Sequence, residues 1–293
     1  MRYVGKIYRP PSEADSLILQ ATIGCSWNRC SYCAMYLDKR FKPRPLDELK
    51  EDMDLAASYL GAENVRRVFL ADGDALILRT ARLLEILREL RARFPNFQRA
   101  SVYASPQSLL SKSVAELAEL KSAGLPLHYM GPETGHDEVL KRIEKGVTAA
   151  EMIEGARRVI DAGAKISLIF LLGIAGTELS HEHAVASGKL VSAIDPQYVS
   201  ALTLVPVPGT PIHEEVESGR LVLPDPRGRL TELATMLEHM DVTRAIFRSN
   251  HGSNALPLGG NLPADKGKLL AVLREVIADE SIPLRPPPSP HRL

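Results

Sequence analysis

The chain has 293 residues, 45% of them hydrophobic, with 36 Lys plus Arg set against 36 Asp plus Glu. That is enough apolar material for one large α/β domain or two ordinary ones, and the balanced charge lacks the basic excess that non-specific nucleic-acid binding calls for, although a local basic patch stays open. No run of eighteen apolar residues occurs and the N-terminal MRYVGKIYRPPSEADS has no signal-peptide core, so the expectation is a soluble cytoplasmic protein with neither a membrane nor a nucleic acid as partner.

Residues 1–15 read as an N-terminal extension. From there to about residue 205, short β-branched runs alternate with amphipathic helical stretches, the pattern of parallel strands joined by helices. SLILQAT (16–22) predicts the first strand and Leu46–Tyr59 a helix. VRRVFLA (65–71) predicts the second strand, followed by a helix over Thr80–Arg93 with Leu83, Ile86, Leu87 and Leu90 on one face. ASVYAS (100–105) is the third, followed by a helix over Ser113–Ala123 closed by Gly124. LHYMG (127–131) is the fourth, followed by a helix over Ala149–Ala162 closed by Gly163. ISLIFLL (166–172) and YVSALTL (198–204) are the fifth and sixth, with a helix over His183–Ile194 stopped before Pro196. Right-handed crossovers curl such strands into a partial barrel or a doubly wound open sheet, and periodicity alone does not choose. After PVPGTP (206–211) the pattern turns helical, over Leu230–Met240 and Asp265–Ala278, which predicts a C-terminal helical cap of residues 212–282 packed on the core. The proline-rich tail, residues 283–293, predicts an extended or disordered end.

The stretch GCSWNRCSYC (24–33) holds every cysteine in the chain: Cys25, Cys30 and Cys33. Three clustered cysteines without a secretion signal read as ligands or reactive groups rather than as a disulfide framework. They follow the first strand directly, so a parallel barrel would place them on its C-terminal face, where such folds build active sites. A closed zinc site takes four protein ligands, yet there is one C-x-x-C pair and the next downstream histidine is His128. A catalytic zinc on three thiolates with no imidazole is geometrically allowed but departs from the usual ligand choice. An iron–sulfur cluster usually takes four thiolates, and three would leave one iron with an open coordination position.

At these residues the chain resembles the radical SAM superfamily, whose cluster loop is usually C-x₃-C-x₂-C with an aromatic before the last cysteine, here Tyr32. This chain has four residues, Ser26-Trp-Asn-Arg29, between the first two cysteines. The resemblance implies a partial (β/α)₆ TIM-like barrel over residues 16–211, a [4Fe–4S] cluster on Cys25, Cys30 and Cys33, and S-adenosylmethionine bound at the open iron. It also implies reductive cleavage of that cofactor to methionine and a 5′-deoxyadenosyl radical that abstracts hydrogen, with the electron coming from a donor such as flavodoxin or ferredoxin.

Further segments fit the same resemblance. Leu70-Ala-Asp-Gly-Asp74 stands where the family often has Gly-Gly-Glu holding the methionyl amine, which implies that role for Asp72, Gly73 and Asp74; read alone, it is an acidic turn. The stretch from Gly131 to Gly146, GPETGHDEVLKRIEKG, is similar to the branch containing methylthiotransferases and oxygen-independent coproporphyrinogen oxidases. There Glu133 would hydrogen-bond the ribose or methionine part of the cofactor, with Ser105 assisting. Asp137 and Glu138 read as charges complementing a helix N-terminus. Lys141, Arg142 and Lys145 read as a solvated basic face, one of which could reach the cofactor carboxylate. Leu171–Glu178 resembles the family's fifth-strand segment, where backbone beside an apolar residue, here Leu172, lies along the adenine. Leu204–Pro211 resembles the sixth-strand exit.

His181-Glu-His183 reads as surface charge, because residues two apart on a helix face different ways whereas a helical zinc pair stands at i and i+4. Arg248–Asn254 is either a substrate-holding loop over the barrel mouth or a capped turn. With all three cysteines committed, none remains for an auxiliary cluster or a methyl-carrying thiolate, and no domain for cobalamin precedes the first strand, so the expected substrate is a small organic molecule. No general base is visible. Two other readings stay open: a radical enzyme modifying tRNA, and a non-catalytic zinc or iron–sulfur binding module.

Overall fold

A computed structural model describes residues 1–286; the tail expected over 283–293 lies, from residue 287 on, outside the described residues. After a 3₁₀ turn at Pro11–Glu13 the elements are β1 (Leu17–Gln20), β2 (Thr22–Ile23), β3 (Lys42–Pro43), α1 (Leu46–Leu60), β4 (Arg67–Ala71), α2 (Thr80–Arg93), β5 (Arg99–Tyr103), α3 (Pro106–Leu110), α4 (Val114–Ala123), β6 (Leu127–Glu133), α5 (Asp137–Arg142), α6 (Ala149–Asp161), β7 (Lys165–Leu172), α7 (Ser180–Ile194), β8 (Tyr198–Thr203), α8 (Pro211–Glu217), α9 (Pro226–Glu238), β9 (Ala245–Arg248), β10 (Gly259–Leu262) and α10 (Lys266–Ala278). The class is α/β as expected, with eight strands in the main sheet and parallel pairing in every described pair of it except β9 with β10. The chain divides into two compact units.

The first unit comprises Met1–Asn28, Met35–Met130 and Glu154–Ile166. Its strands run in parallel register, Leu19 beside Leu70, Leu70 beside Val102 and Val102 beside His128. Leu49 and Met53 of α1 and Leu83, Ile86, Leu87 and Leu90 of α2 are fully buried, each side chain contributing about 1.5–3 kcal/mol of burial. Phe69, Tyr103 and Tyr129 form an edge-to-face trio at centroid separations of 5.0–6.2 Å. The N-terminal extension is tied to the same strands: the buried Glu13 carboxylate accepts from Tyr129 Oη at 2.7 Å, from Ser16 Oγ at 2.5 Å and pairs with Arg99 at 2.9 Å. A capping box at Ser113 and Glu116 starts α4, and Gly124 in the left-handed region ends it.

The second unit comprises Arg29–Ala34, Gly131–Ile153 and the chain from Ser167 on. Here β7, β8 and β9 are parallel neighbours, and β10 closes the ladder antiparallel to β9, Gly259 opposite Arg248 and Leu262 opposite Ala245. The helical reading of residues 212–282 therefore omitted two strands. Each is four residues long, too short for alternation to register, and Gly259-Gly260 is a poor strand former. Helices α7, α9 and α10 pack in succession, and a Cβ on Gly188 would come within 2.5 Å of the Met236 carbonyl, so α7 meets α9 backbone to backbone. A separate apolar cluster gathers Val139, Ile143, Ile174, Ala175, Leu204 and Ile212, with Tyr32 packed against it.

Candidate functional site

In the first unit, β2 pairs with β3 and so folds the segment after the cysteines back onto the strand leading into them. Asp72, at the exit of β4, is wholly buried; its Oδ2 accepts from Gln20 Nε2 at 2.9 Å, Gly24 N at 3.0 Å and Lys39 Nζ at 2.9 Å. Lys39 lies 5.5 Å from the centroid of the Tyr36 ring and also donates to the Lys6 carbonyl. Through Oδ2 Asp72 anchors the residue before Cys25, while its buried Oδ1 has no hydrogen-bond partner among the described residues. Gly73 donates its N–H to the Gly24 carbonyl at 3.1 Å, and a Cβ there would stand 2.4 Å from the Tyr36 ring and 2.9 Å from Cys25 Cβ. The space beside this glycine is filled by side chains of the cysteine loop.

Asp74 is also fully buried, and both oxygens are taken: Oδ1 accepts from Ser105 N at 2.9 Å, Oδ2 from Ser105 Oγ at 2.8 Å and Ser26 Oγ at 2.5 Å. Ser105 in turn caps α3, accepting from Ser108 N at 3.0 Å. One carboxylate so binds the exits of β4 and β5 to Ser26, the residue after Cys25.

In the second unit, Cys30 and Cys33 form a tight turn in which Cys33 N donates to the Cys30 carbonyl at 3.1 Å. Ser31 anchors it by donating to the Ile143 carbonyl at 3.0 Å and accepting from Ile212 N at 3.1 Å. Glu133, at the end of β6, has φ +67°, an uncommon conformation for a residue with a side chain. Its carboxylate folds back over Gly131, where any Cβ would meet it at 2.1 Å. Lys145 Nζ donates to Glu133 Oε1 at 2.9 Å and to Tyr32 Oη at 3.3 Å. Lys145 is 8% exposed, so it does not belong to a solvated basic face: the backbone at Glu144 and Gly146, φ +52° and +74°, turns it inward.

Charge is concentrated here. Burial alone would lower the Lys145 ammonium, but the Glu133 carboxylate, and then the negative charge of a Cys30 thiolate, outweigh it and hold the group above the usual lysine range. Burial pushes the Cys30 thiol up, and the Lys145 ammonium pulls against that rise. Burial and then the Glu133 charge hold the Tyr32 hydroxyl well above the ordinary tyrosine value.

Leu172 ends β7 buried, its carbonyl accepting from Leu204 N at 2.9 Å. The next residue, Gly173 (φ +82°), donates its N–H to Glu232 of α9 at 3.1 and 3.0 Å from the two oxygens. Glu232 Oε1 meets His183 Nε2 at 2.8 Å, and both side chains are fully buried. The surface reading of His181-Glu-His183 holds for His181 and Glu182, which are exposed, and fails for His183, which α7 turns into the protein. The loop after β9 is pinned to the end of β8: Asn254 donates to the Ala201 carbonyl at 2.7 Å and the Ser249 carbonyl at 2.9 Å and accepts from Thr203 Oγ1 at 2.9 Å. Lys39 and Glu232 carried no motif in the sequence, and Lys145 and His183 were read there as exposed; their roles become visible only when the chain folds.

Residues 19–186 match the Radical SAM superfamily, a span holding the three cysteines and more than half of the chain. The chain belongs to the radical SAM superfamily. Superfamily members use a [4Fe–4S] cluster and S-adenosylmethionine. The donor set fits that cluster: no disulfide joins the three cysteines and each is partly exposed, and a four-iron cluster takes thiolates on separate irons. Among the described residues no three His, Cys, Asp or Glu side chains are grouped to hold a single metal ion. The chain is similar to the heme chaperone HemW of Bacillus subtilis (strain 168), 25% identical over 205 residues, covering 67% of this chain and 52% of that protein. It spans about half the length of the curated relatives it matches. Among solved structures it is similar to coproporphyrinogen III oxidase (HemN) from Escherichia coli, TM-score 0.55 at 15% identity over 76% of this chain and 51% of that one. Methylornithine synthase (PylB) aligns with TM-score 0.53 at 18% identity over 78% of this chain and 63% of that one. These likenesses bear out the fold class. No helix among the described residues is long and apolar enough to cross a membrane.

Proposed function

We propose that the chain is a radical S-adenosylmethionine enzyme that holds a [4Fe–4S] cluster on Cys25, Cys30 and Cys33 and abstracts hydrogen from a small organic substrate. The observation that carries this is the trio of partly exposed cysteines, none in a disulfide, on one loop inside the span that matches the superfamily. When bound, the cluster supplies the electron that splits the cofactor's sulfur–carbon bond and so provides the carbon radical. The protein's own part is positional and electrostatic. Asp72 and Asp74 fix the loop on either side of Cys25 through Gly24 and Ser26. Lys145 favours the thiolate at Cys30. Tyr32, Ser105, Glu133 and Leu172 stand as the residues beside the cofactor, and the reductant is an electron carrier of the flavodoxin or ferredoxin class in the cytoplasm.

The test is anaerobic reconstitution followed by iron and sulfide analysis and quantitation of 5′-deoxyadenosine with dithionite and S-adenosylmethionine. The reading expects about four irons per chain and product from the wild type but not from Cys25→Ala, Cys30→Ala or Cys33→Ala. Stoichiometric zinc, or a cluster that never cleaves the cofactor, would refute it in favour of a binding module. The similarity to the heme chaperone HemW favours a second reading, in which the same core binds heme. Stoichiometric heme uptake seen as a Soret band, with no cofactor cleavage, would select that one.

A further inference from the structure

The exits of β6 and β7 are joined by a string of buried polar groups. Gly173, one residue past the end of β7, donates its N–H to both oxygens of Glu232 at 3.1 and 3.0 Å. Glu232 Oε1 meets His183 Nε2 at 2.8 Å. His183 Nδ1 meets Thr134 Oγ1 at 2.7 Å and Ser187 Oγ at 3.4 Å. Thr134 Oγ1 accepts from His136 N at 3.0 Å, and Ser187 Oγ accepts from Gly135 N at 3.0 Å. Thr134, His183 and Ser187 are 0% exposed and Glu232 is 2% exposed.

With Thr134 donating to His183 Nδ1, the ring hydrogen sits on Nε2, 2.8 Å from Glu232 Oε1 but out of line for a hydrogen bond, so this link in the string is a close polar contact. Arg229, one turn earlier on α9, places its Nε 3.5 Å from where a Gly173 Cβ would stand, so a cation also faces this carboxylate. A buried acid and imidazole are a poor way to glue helices together, since apolar residues of equal volume often do as well or better. What the string accomplishes is specific: it clamps the backbone of 134–136, next to Glu133, and the backbone of Gly173, next to Leu172. The clamp comes from α7 and α9, elements that contribute no residue to the site as read from the motifs.

We propose that His183 and Glu232 are positioning residues that hold the loops after β6 and β7 in the arrangement that binds S-adenosylmethionine. The inference rests on the radical SAM reading above. In Glu232→Gln the amide keeps the shape but offers a single acceptor oxygen, so its NH₂ faces the Gly173 N–H in either orientation and the His183 Nε2 as well in one of them. In Thr134→Val the hydroxyl is lost, whereas Thr134→Ser keeps it.

The experiment measures the Kd of S-adenosylmethionine by calorimetry on reconstituted protein, with thermal melting, iron content and uncoupled cleavage kinetics alongside. Glu232→Gln and Thr134→Val are expected to raise Kd and KM about tenfold while kcat at saturating cofactor changes less than about twofold, and Thr134→Ser is expected to bind within about twofold of wild type. A merely structural role would lower the folded fraction and the iron content but leave Kd of the folded protein unchanged. Variants that bind as tightly as the wild type would overturn the inference alone. A reconstituted wild type that does not bind the cofactor would overturn the underlying reading, and the inference with it.

Discussion

His128 lies in β6, five residues before Glu133, fully buried, with neither ring nitrogen in a hydrogen bond of normal geometry. Burial pushes its pKa down from 6.5 to about 4, an approach to the Lys165 backbone offsetting only part of the effect. The imidazole stays neutral in the folded state while the unfolded chain takes up a proton as pH falls below 6.5. Above that value the group contributes no pH dependence; between 6.5 and about 4 the unfolded state binds more protons, so stability is lost as pH falls, and below about 4 the loss is complete. At about 1.4 kcal/mol per pH unit the total is about 3 kcal/mol, of which about 2 kcal/mol is already lost at about pH 5. His128→Leu fills a similar volume without polar atoms and removes this slope. Urea unfolding of both proteins between about pH 8 and about pH 5 checks it, because the carboxylates, Glu13 among them, cancel in the difference. The variant should match or exceed the wild type at the upper end and gain about 2 kcal/mol relative to it at the lower. A stability difference that does not change with pH would refute the reasoning.

Lys39→Met leaves the Asp72 carboxylate buried beside neutral donors and should cost about 3–5 kcal/mol in urea unfolding, much of it recovered by adding Asp72→Asn. Gly73→Ala forces a methyl group into the Tyr36 ring and Cys25; a loss of about 1–3 kcal/mol is expected, with reduced iron loading that Tyr36→Leu in the same chain partly restores. Asn254→Ala removes three hydrogen bonds that hold the loop after β9, at about 1–3 kcal/mol for the groups left unpaired. Limited trypsin digestion should then cut faster at Arg248, and an unchanged rate would count against the pinning.

Much of the fold was legible because local pattern and final structure agree. The apolar face Leu83, Ile86, Leu87 and Leu90 placed α2 at its observed limits, and the strands of the parallel core fall within a few residues of the runs that predicted them. The cysteines were legible because they cluster where the chain has no others. Lys145 and His183 were misplaced for one physical reason: charge and polarity predict exposure unless a distant partner compensates burial. Those partners are brought in by the fold, Glu133 with Tyr32 beside it for Lys145 and Glu232 for His183. Gly73 was visible as a strand-end glycine, but the close approach of Cys25 and Tyr36 to it depends on a loop that closes only in three dimensions.

The last strand of the second unit, β10, is four residues long, begins with two glycines and is followed at once by Pro263. A terminal strand of that kind offers a visiting chain little to pair with, since unpaired amides are few, glycine resists extended order and proline has no N–H to give. Aggregation by strand addition is therefore discouraged at this edge, which bears on a protein that must be concentrated and reconstituted. Replacing Gly259 and Gly260 with valine would turn the edge into a sticky template, and light scattering during reconstitution would register the change.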